Sequence, residues 1–271
     1  MDVNRFSPYL ACIRLSFLKL MAYRMRYFTG IITYLMFVSV HYYIWQAVFS
    51  GKPEGTLING FSFDQIITYV AIGWIARSMY FSDIDDEISE MVKTGQISIY
   101  LIRPIKFHLV MLAEAFGGLL FRLFLFTLPI SVVLLSVFPV SPPSSVLGGL
   151  TFIVSTFASF LVLAEINFLL GLLCFYLKSI DGFMRAKYFF IQLFSGLLLP
   201  ISFYPSWLRE IMEYLPFKLI ASTPLEIYLG KIAGMDLLYA LMMTLFWAIL
   251  LFVLSELLSR IAFNKLSIQG G

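Results

Sequence analysis

Charge is scarce in this sequence. Of its 271 residues 13% are charged, 60% are hydrophobic and 17% are aromatic, where soluble domains carry roughly 25% charged residues. Apolar surface on that scale does not fit inside one soluble core, so lipid must cover part of it. Cysteine and histidine are scarcer still. Cys12 and Cys174 make no disulfide framework, and with only His41 and His108 beside them no metal site is expected. No basic cluster is interleaved with aromatics, so nucleic acid is not an expected partner. A phosphate-binding G-x-x-x-x-G-K-[ST] loop is also missing. The pairs Gly51-Lys52 and Gly230-Lys231 lack both the upstream glycine and the following Ser or Thr. No H-E-x-x-H, G-x-S-x-G or paired membrane aspartates occur, so no catalytic residue is assigned and no cofactor is expected on this chain.

What is present is a series of long apolar runs. Six spans are expected, at about 28–49, 64–81, 107–138, 146–177, 188–204 and 235–258, each compared with the roughly 20 residues needed to cross hydrocarbon. The expected fold is an all-α integral membrane protein with residues 1–271 as a single domain. Before Phe28 stand Arg5, Arg14, Lys19, Arg24 and Arg26, too many charges for a cleavable signal peptide. Residues 4–26 instead read as an interfacial amphipathic helix. Six spans put both termini on one side. That side collects thirteen Lys and Arg, against four opposite (Lys52, Arg209, Lys218, Lys231). The positive-inside rule makes it the cytoplasmic side.

One polar stretch stands apart, residues 82–106, SDIDDEISEMVKTGQISIYLIRPIK. It holds five acidic residues (Asp83, Asp85, Asp86, Glu87, Glu90) and repeats Ile84, Ile88 and Met91 at i, i+4 and i+7, one face of a helix. Thr94-Gly95 supplies its stop, and Arg103-Pro104 restarts the chain. A cytoplasmic acidic helix between two spans needs something against its apolar stripe. If ATP drives this protein, a separate chain must hold the ATPase, and this helix is the candidate docking element.

Four charges fall inside apolar runs: Arg77, Glu114, Arg122 and Glu165. Isolated charges there are costly. Arg77 is expected to snorkel to the cytoplasmic interface. Counted from the loop between spans three and four, Arg122 and Glu165 come out at comparable depth, so they are expected to pair, as structural glue or as part of a conduit wall.

The basic start, ISEMVKTGQISIYLIRP at 88–104, FSGLLLPISFYP at 194–205, Leu215-Pro216-Phe217, Thr223-Pro224 and the final Gln269-Gly270-Gly271 together resemble the membrane subunits of type-2 ABC transporters. The likeness is closest to a branch of six-span bacterial permeases and covers nearly the whole chain. It implies an exporter of two permeases, identical or related, with two ABC ATPase subunits that hold ATP and Mg, in the bacterial plasma membrane. It implies that the helix between spans two and three is a coupling helix. Ile84, Ile88 and Met91 would be knobs inserted into the ATPase, Asp86, Glu87 and Glu90 would face its basic groups, and Gly95 would end the helix. It also implies short re-entrant helices on the outer side. One would lie at 205–216 with Trp207, Leu208, Ile211 and Leu215 on its apolar side. A second would be capped by Thr223, start at Pro224 and end at Gly230. Pro200, Pro205, Trp207, Pro216 and Pro224 would then form an outer gate, against the plainer reading of an interfacial loop with an aromatic anchor. Two other classes stay open: a non-transporting scaffold or sensor that binds a cytoplasmic partner, and an ion-driven secondary transporter.

Overall fold

The computed structural model describes residues 7–102, 105–177 and 180–263. Arg103-Pro104 and the terminal Gln269-Gly270-Gly271 lie outside the described residues. Helices dominate, and the described residues contain no strand beyond an isolated bridge between Ile58 and Phe61.

The first helix, α1 (Ser7–Ala22), leads through the turn at Tyr23 and Arg24 into α2 (Met25–Phe49). α1 packs along a later helix, α6: the Ser16 hydroxyl donates to the Glu114 carbonyl at 2.7 Å, and Phe17 meets Phe121 edge-on. α3 (Phe63–Tyr80) opens with a reciprocal cap in which Ser62 and Gln65 each accept from the other's backbone N–H at 3.3 Å. Thirteen of its residues are buried, as befits a helix that is apolar on every side. It runs through the middle of the molecule. The chain then turns into the short α4 (Ile84–Lys93) and α5 (Ile97–Leu101).

α6 (Phe107–Arg122) continues through a π-helical turn, Leu123–Thr127, into α7 (Leu128–Val137). The cause is Pro129. It offers no N–H to the residue four before it and crowds that carbonyl, and a wider turn accommodates both defects. After the 138–145 loop, the Ser145 side chain accepts from the Gly148 N–H at 2.9 Å and starts α8 (Val146–Gly171), which tightens into a 3-10 turn at Leu172–Phe175. α9 (Asp181–Phe194) follows. It begins seven residues before the expected fifth span and stops ten short of its expected end. The helix cannot continue because Gly196 is left-handed, at φ +81°, and Pro200 follows. α10 (Ser206–Tyr214), α11 (Ser222–Tyr228) and the 30-residue α12 (Gly234–Phe263) complete the chain.

Among the described residues, four helices are long and apolar enough to cross a membrane: Tyr27–Phe49, Phe107–Val137, Val146–Phe175 and Gly234–Phe263. α3 is shorter, 18 residues or about 27 Å at the standard rise, and α9 has 14, about 21 Å. Two apolar cores form at opposite ends of the bundle. One gathers Ile84, Ile88, Met111, Phe160 and Phe168 near α4, and the other gathers Trp45, Ile66, Ile130, Leu134 and Leu225. Large apolar side chains face outward along α2, α8 and α12, among them Met36, Ile153 and Phe246.

Candidate functional site

α4 has two faces of different character. Its first turn carries Asp85, Asp86 and Glu87, which complement the exposed N–H groups of a helix start. Its end is set by Thr94 and by Gly95 at φ +74°, a conformation that side-chain-bearing residues disfavour.

Ile84, Ile88 and Met91, expected as knobs for another chain, are buried in this chain's own core, Ile88 completely. The expectation is corrected by the end of α8. There Gly171 leaves a flat surface, and a Cβ at that position would come within 2.7 Å of Ile88. Burying each such side chain is worth about 1.5–3 kcal/mol, and the stripe takes the partner nearest in the fold. Helical periodicity identifies an apolar face without identifying what covers it.

Polar groups tie the same helix to its neighbours. The Asp85 carboxylate is buried and accepts from the Lys187 ammonium of α9 at 2.6 Å. Lys187 also donates to Asn167 Oδ1 of α8 at 2.9 Å, and the Asn167 amide donates to the Ser82 carbonyl at 2.6 Å. Lys93 pairs with Asp181 at the start of α9, 3.0 Å, and Lys19 of α1 stands 3.6 Å from Glu87. Burial raises the Asp85 carboxyl above its ordinary value, with Lys187 opposing. Burial, reinforced by Asp83, pushes Glu87 up to about 7, with Lys19 opposing. The outward face keeps Asp83, Asp86, Glu90, Thr94, Gly95 and Gln96 exposed. Asp86, Glu90 and Gly95 are therefore on an open acidic surface, and Glu87 sits at its edge. Asp85, Lys187 and Asn167 were not anticipated. One signal pointed to them: Asp85 stands within the apolar stripe, where a carboxylate needs a cation.

Glu165 does not pair with Arg122. Its carboxylate meets His108 Nε2 at 2.9 and 3.1 Å. His108 Nδ1 lies 3.6 Å from Glu256, which binds Lys106 at 2.8 Å and Arg260 at 2.9 Å. The imidazole is flanked by the rings of Phe168 and Phe252. This cluster joins α6, α8 and α12 at the α4 end of the bundle. Arg122 is fourteen residues along α6 from His108, about 21 Å at the standard rise, so Glu165 cannot reach it. Residue counting ignores tilt, and it gave no reason to look at His108. Arg77 does not snorkel either. It is buried, donates to the Tyr188 hydroxyl at 2.9 Å and lies over the rings of Trp74, Phe81 and Tyr188. Glu114 is half-buried and accepts from the Tyr100 hydroxyl at 3.4 Å.

At the opposite end, Pro200 is buried behind the break in α9, and Pro205 is exposed at the start of α10. Trp207 is 62% exposed and Ile211 is half exposed, so within this chain the expected apolar side is open, and Met212 is the residue that anchors the helix. Lys218 pairs with Glu213. Pro216 is buried in a 3-10 turn, Pro216–Leu219. α11 starts at Ser222, whose hydroxyl donates to Glu226 at 2.7 Å. Thr223 is thus inside the helix, not its cap, and Pro224 is its third residue. α11 is a buried plug: Leu225 presses on Gly73 of α3, and the Ser144 N–H donates to the Tyr228 carbonyl at 3.0 Å. A shallow pocket of about 540 Å³ opens at the start of α10, lined by Asn59, Ser202, Tyr204, Pro205 and Arg209.

Among the described residues no group of three His, Cys, Asp or Glu could hold a metal ion. The arrangement offers anchored helices and an open acidic surface. No curated protein is matched by the sequence. The model of the family described as "ABC-2 family transporter protein" matches residues 31–270. The chain belongs to that family, as a type-2 ABC permease subunit of the membrane.

Proposed function

We propose that this chain is the path-forming permease of an ATP-driven exporter in a bacterial plasma membrane, working with a second permease and two ABC ATPase subunits that bind ATP and Mg. In this reading α3 and α9 complete six crossings. The asymmetry of Lys and Arg supports a cytoplasmic position for both termini and α4. α4 is the coupling helix, and its contact surface is the acidic outward face, Asp83, Asp86 and Glu90, rather than the isoleucine stripe.

The observation that carries this is the division of labour on α4. A helix that only caps a membrane bundle has no need of two ion pairs to α9, one to α1 and a packed glycine on α8. Held in that way, a push on the outward face moves the ends of α8 and α9 with it. Closure of two ATPases around ATP would supply the push, and the plug α11 and helix α10 would yield at the outer end. Co-purification tests the class: a tagged chain extracted in mild detergent should retain a separate ATPase with a phosphate-binding loop in comparable amount. A chain that comes out reproducibly with no ATPase would contradict it.

A further inference from the structure

Arg77 and Arg122 are each only 5% exposed. Among the described residues neither has a carboxylate within ion-pair distance. The two guanidinium carbons lie 5.4 and 6.0 Å from the centre of the same Phe81 ring. Arg77 donates to the Tyr188 hydroxyl and has the Tyr34 hydroxyl as a second partner, both phenols and neither a carboxylate. Arg122 has none among the described residues, and its buried Nε–H has no acceptor. The indole N–H of Trp74, whose ring lies 5.7 Å from Arg77, is likewise buried without an acceptor. Buried donors are normally satisfied, and attraction to aromatic faces offsets only part of the cost of a buried cation. Two like charges beside one ring add repulsion. The group is rich in donors, carries two positive charges and is short of anionic oxygen.

Its place in the fold fits a particular supplier of that oxygen. The Arg122 guanidinium lies back over Gly118, with both terminal nitrogens 3.3 Å from where a Cβ would sit. The π-helical turn follows at once, and Ser78 donates to Thr127 at 2.9 Å across to α3. This is the level at which α3 ends. In the topology proposed above, on which this step rests, it is the cytoplasmic edge of the hydrocarbon, where lipid head groups lie. Tyr188, half exposed on α9, covers one side. From these observations we infer that Arg77 and Arg122 together bind the phosphate head group of an anionic amphiphile. Guanidinium groups match phosphate oxygens in shape and charge, and the apolar outer surface of α2 beside the site, including Phe28 and Ile32, would take its tails.

The test uses the purified full chain in nanodiscs of phosphatidylcholine, with or without phosphatidylglycerol, followed by native mass spectrometry and thermal melting. Wild type should retain phosphatidylglycerol over phosphatidylcholine by roughly tenfold, the scale of a charge-assisted contact, and should melt higher when it is present. Arg77→Gln with Arg122→Gln should abolish both effects, while Arg122→Lys, which keeps the charge, should retain part. Lys52→Gln with Arg209→Gln at the other end should change neither. If the double variant does not fold, the wild-type preference and its loss in Arg122→Gln alone decide. Equal retention of the two lipids by wild type overturns the inference. So does an equal gain in melting temperature from inorganic phosphate in phosphatidylcholine discs, which would assign the site to a soluble oxyanion. No ATPase enters the assay, so loss of the coupling reading and loss of this one are separate results.

Discussion

Two short helices link longer ones at opposite ends of this molecule, and they are held in different ways. α4 sinks Ile84 and Ile88 completely into the bundle and is fixed by Asp85–Lys187 and Lys93–Asp181. α10 has a similar amphipathic sequence, yet it buries Met212 and leaves Trp207 and Ile211 open. A helix anchored on several neighbours moves with them, and α10, held by Met212 and the Lys218–Glu213 pair, has fewer such ties. In the function proposed above, the anchored end would receive force and the looser end would yield.

The largest effect that could break this comparison is Ile88→Asp, which puts a charge where no cation waits. It should cost at least about 3 kcal/mol and abolish cooperative melting, while Ile211→Asp on α10 should stay within about 0.5 kcal/mol. Similar melting of the two variants would erase the distinction. Next comes Lys187→Met, which strands the buried Asp85 carboxylate at a cost of about 3–5 kcal/mol. Adding Asp85→Leu should restore most of the lost melting temperature, and no recovery would show that the pair does not anchor α4. Met212→Ala should detach α10 only locally. Hydrogen exchange over 206–214 should rise while the global melting temperature moves little; a global loss would place α10 in the cooperative core.

Glu87 gives the smallest effect. Its folded pKa of about 7 lies above the ordinary 4.5, so the folded state holds its proton more tightly. The stability this supplies is complete below about 4.5 and is lost as pH rises through 7. The side chain is 35% exposed, so solvent screening reduces the swing to about 1 kcal/mol or less. Glu87→Gln should flatten melting temperature between pH 5 and 8 and should be the more stable form at pH 8. An unchanged slope would remove Glu87 as its source.

Much of the helical pattern could be read from the residues. Apolar run lengths located the four long helices, and Ile84, Ile88, Met91 with Thr94-Gly95 located α4 and its end. The alternatives that stayed hidden depend on what lies across from a side chain. The isoleucine stripe had two possible partners, and Gly171 decided between them. Glu165 had two possible partners, and helix height favoured His108 over Arg122. α9 looked apolar from 188 onward, yet its helix begins at Asp181, where the sequence is polar and the start is held by Lys93 from another element. Such contacts join residues far apart in the chain and leave no local periodicity.

The most direct test of the coupling account reverses charge on each short helix in turn and measures how much ATPase is retained and how fast it hydrolyses ATP. Asp86→Lys with Glu90→Lys should lower ATPase retention by roughly tenfold, the scale of removing complementary surface charge, with melting unchanged because both side chains are exposed. Glu210→Lys with Glu213→Lys on α10 should leave retention and hydrolysis at wild-type levels. Equal retention by both double variants would contradict docking through the acidic face of α4.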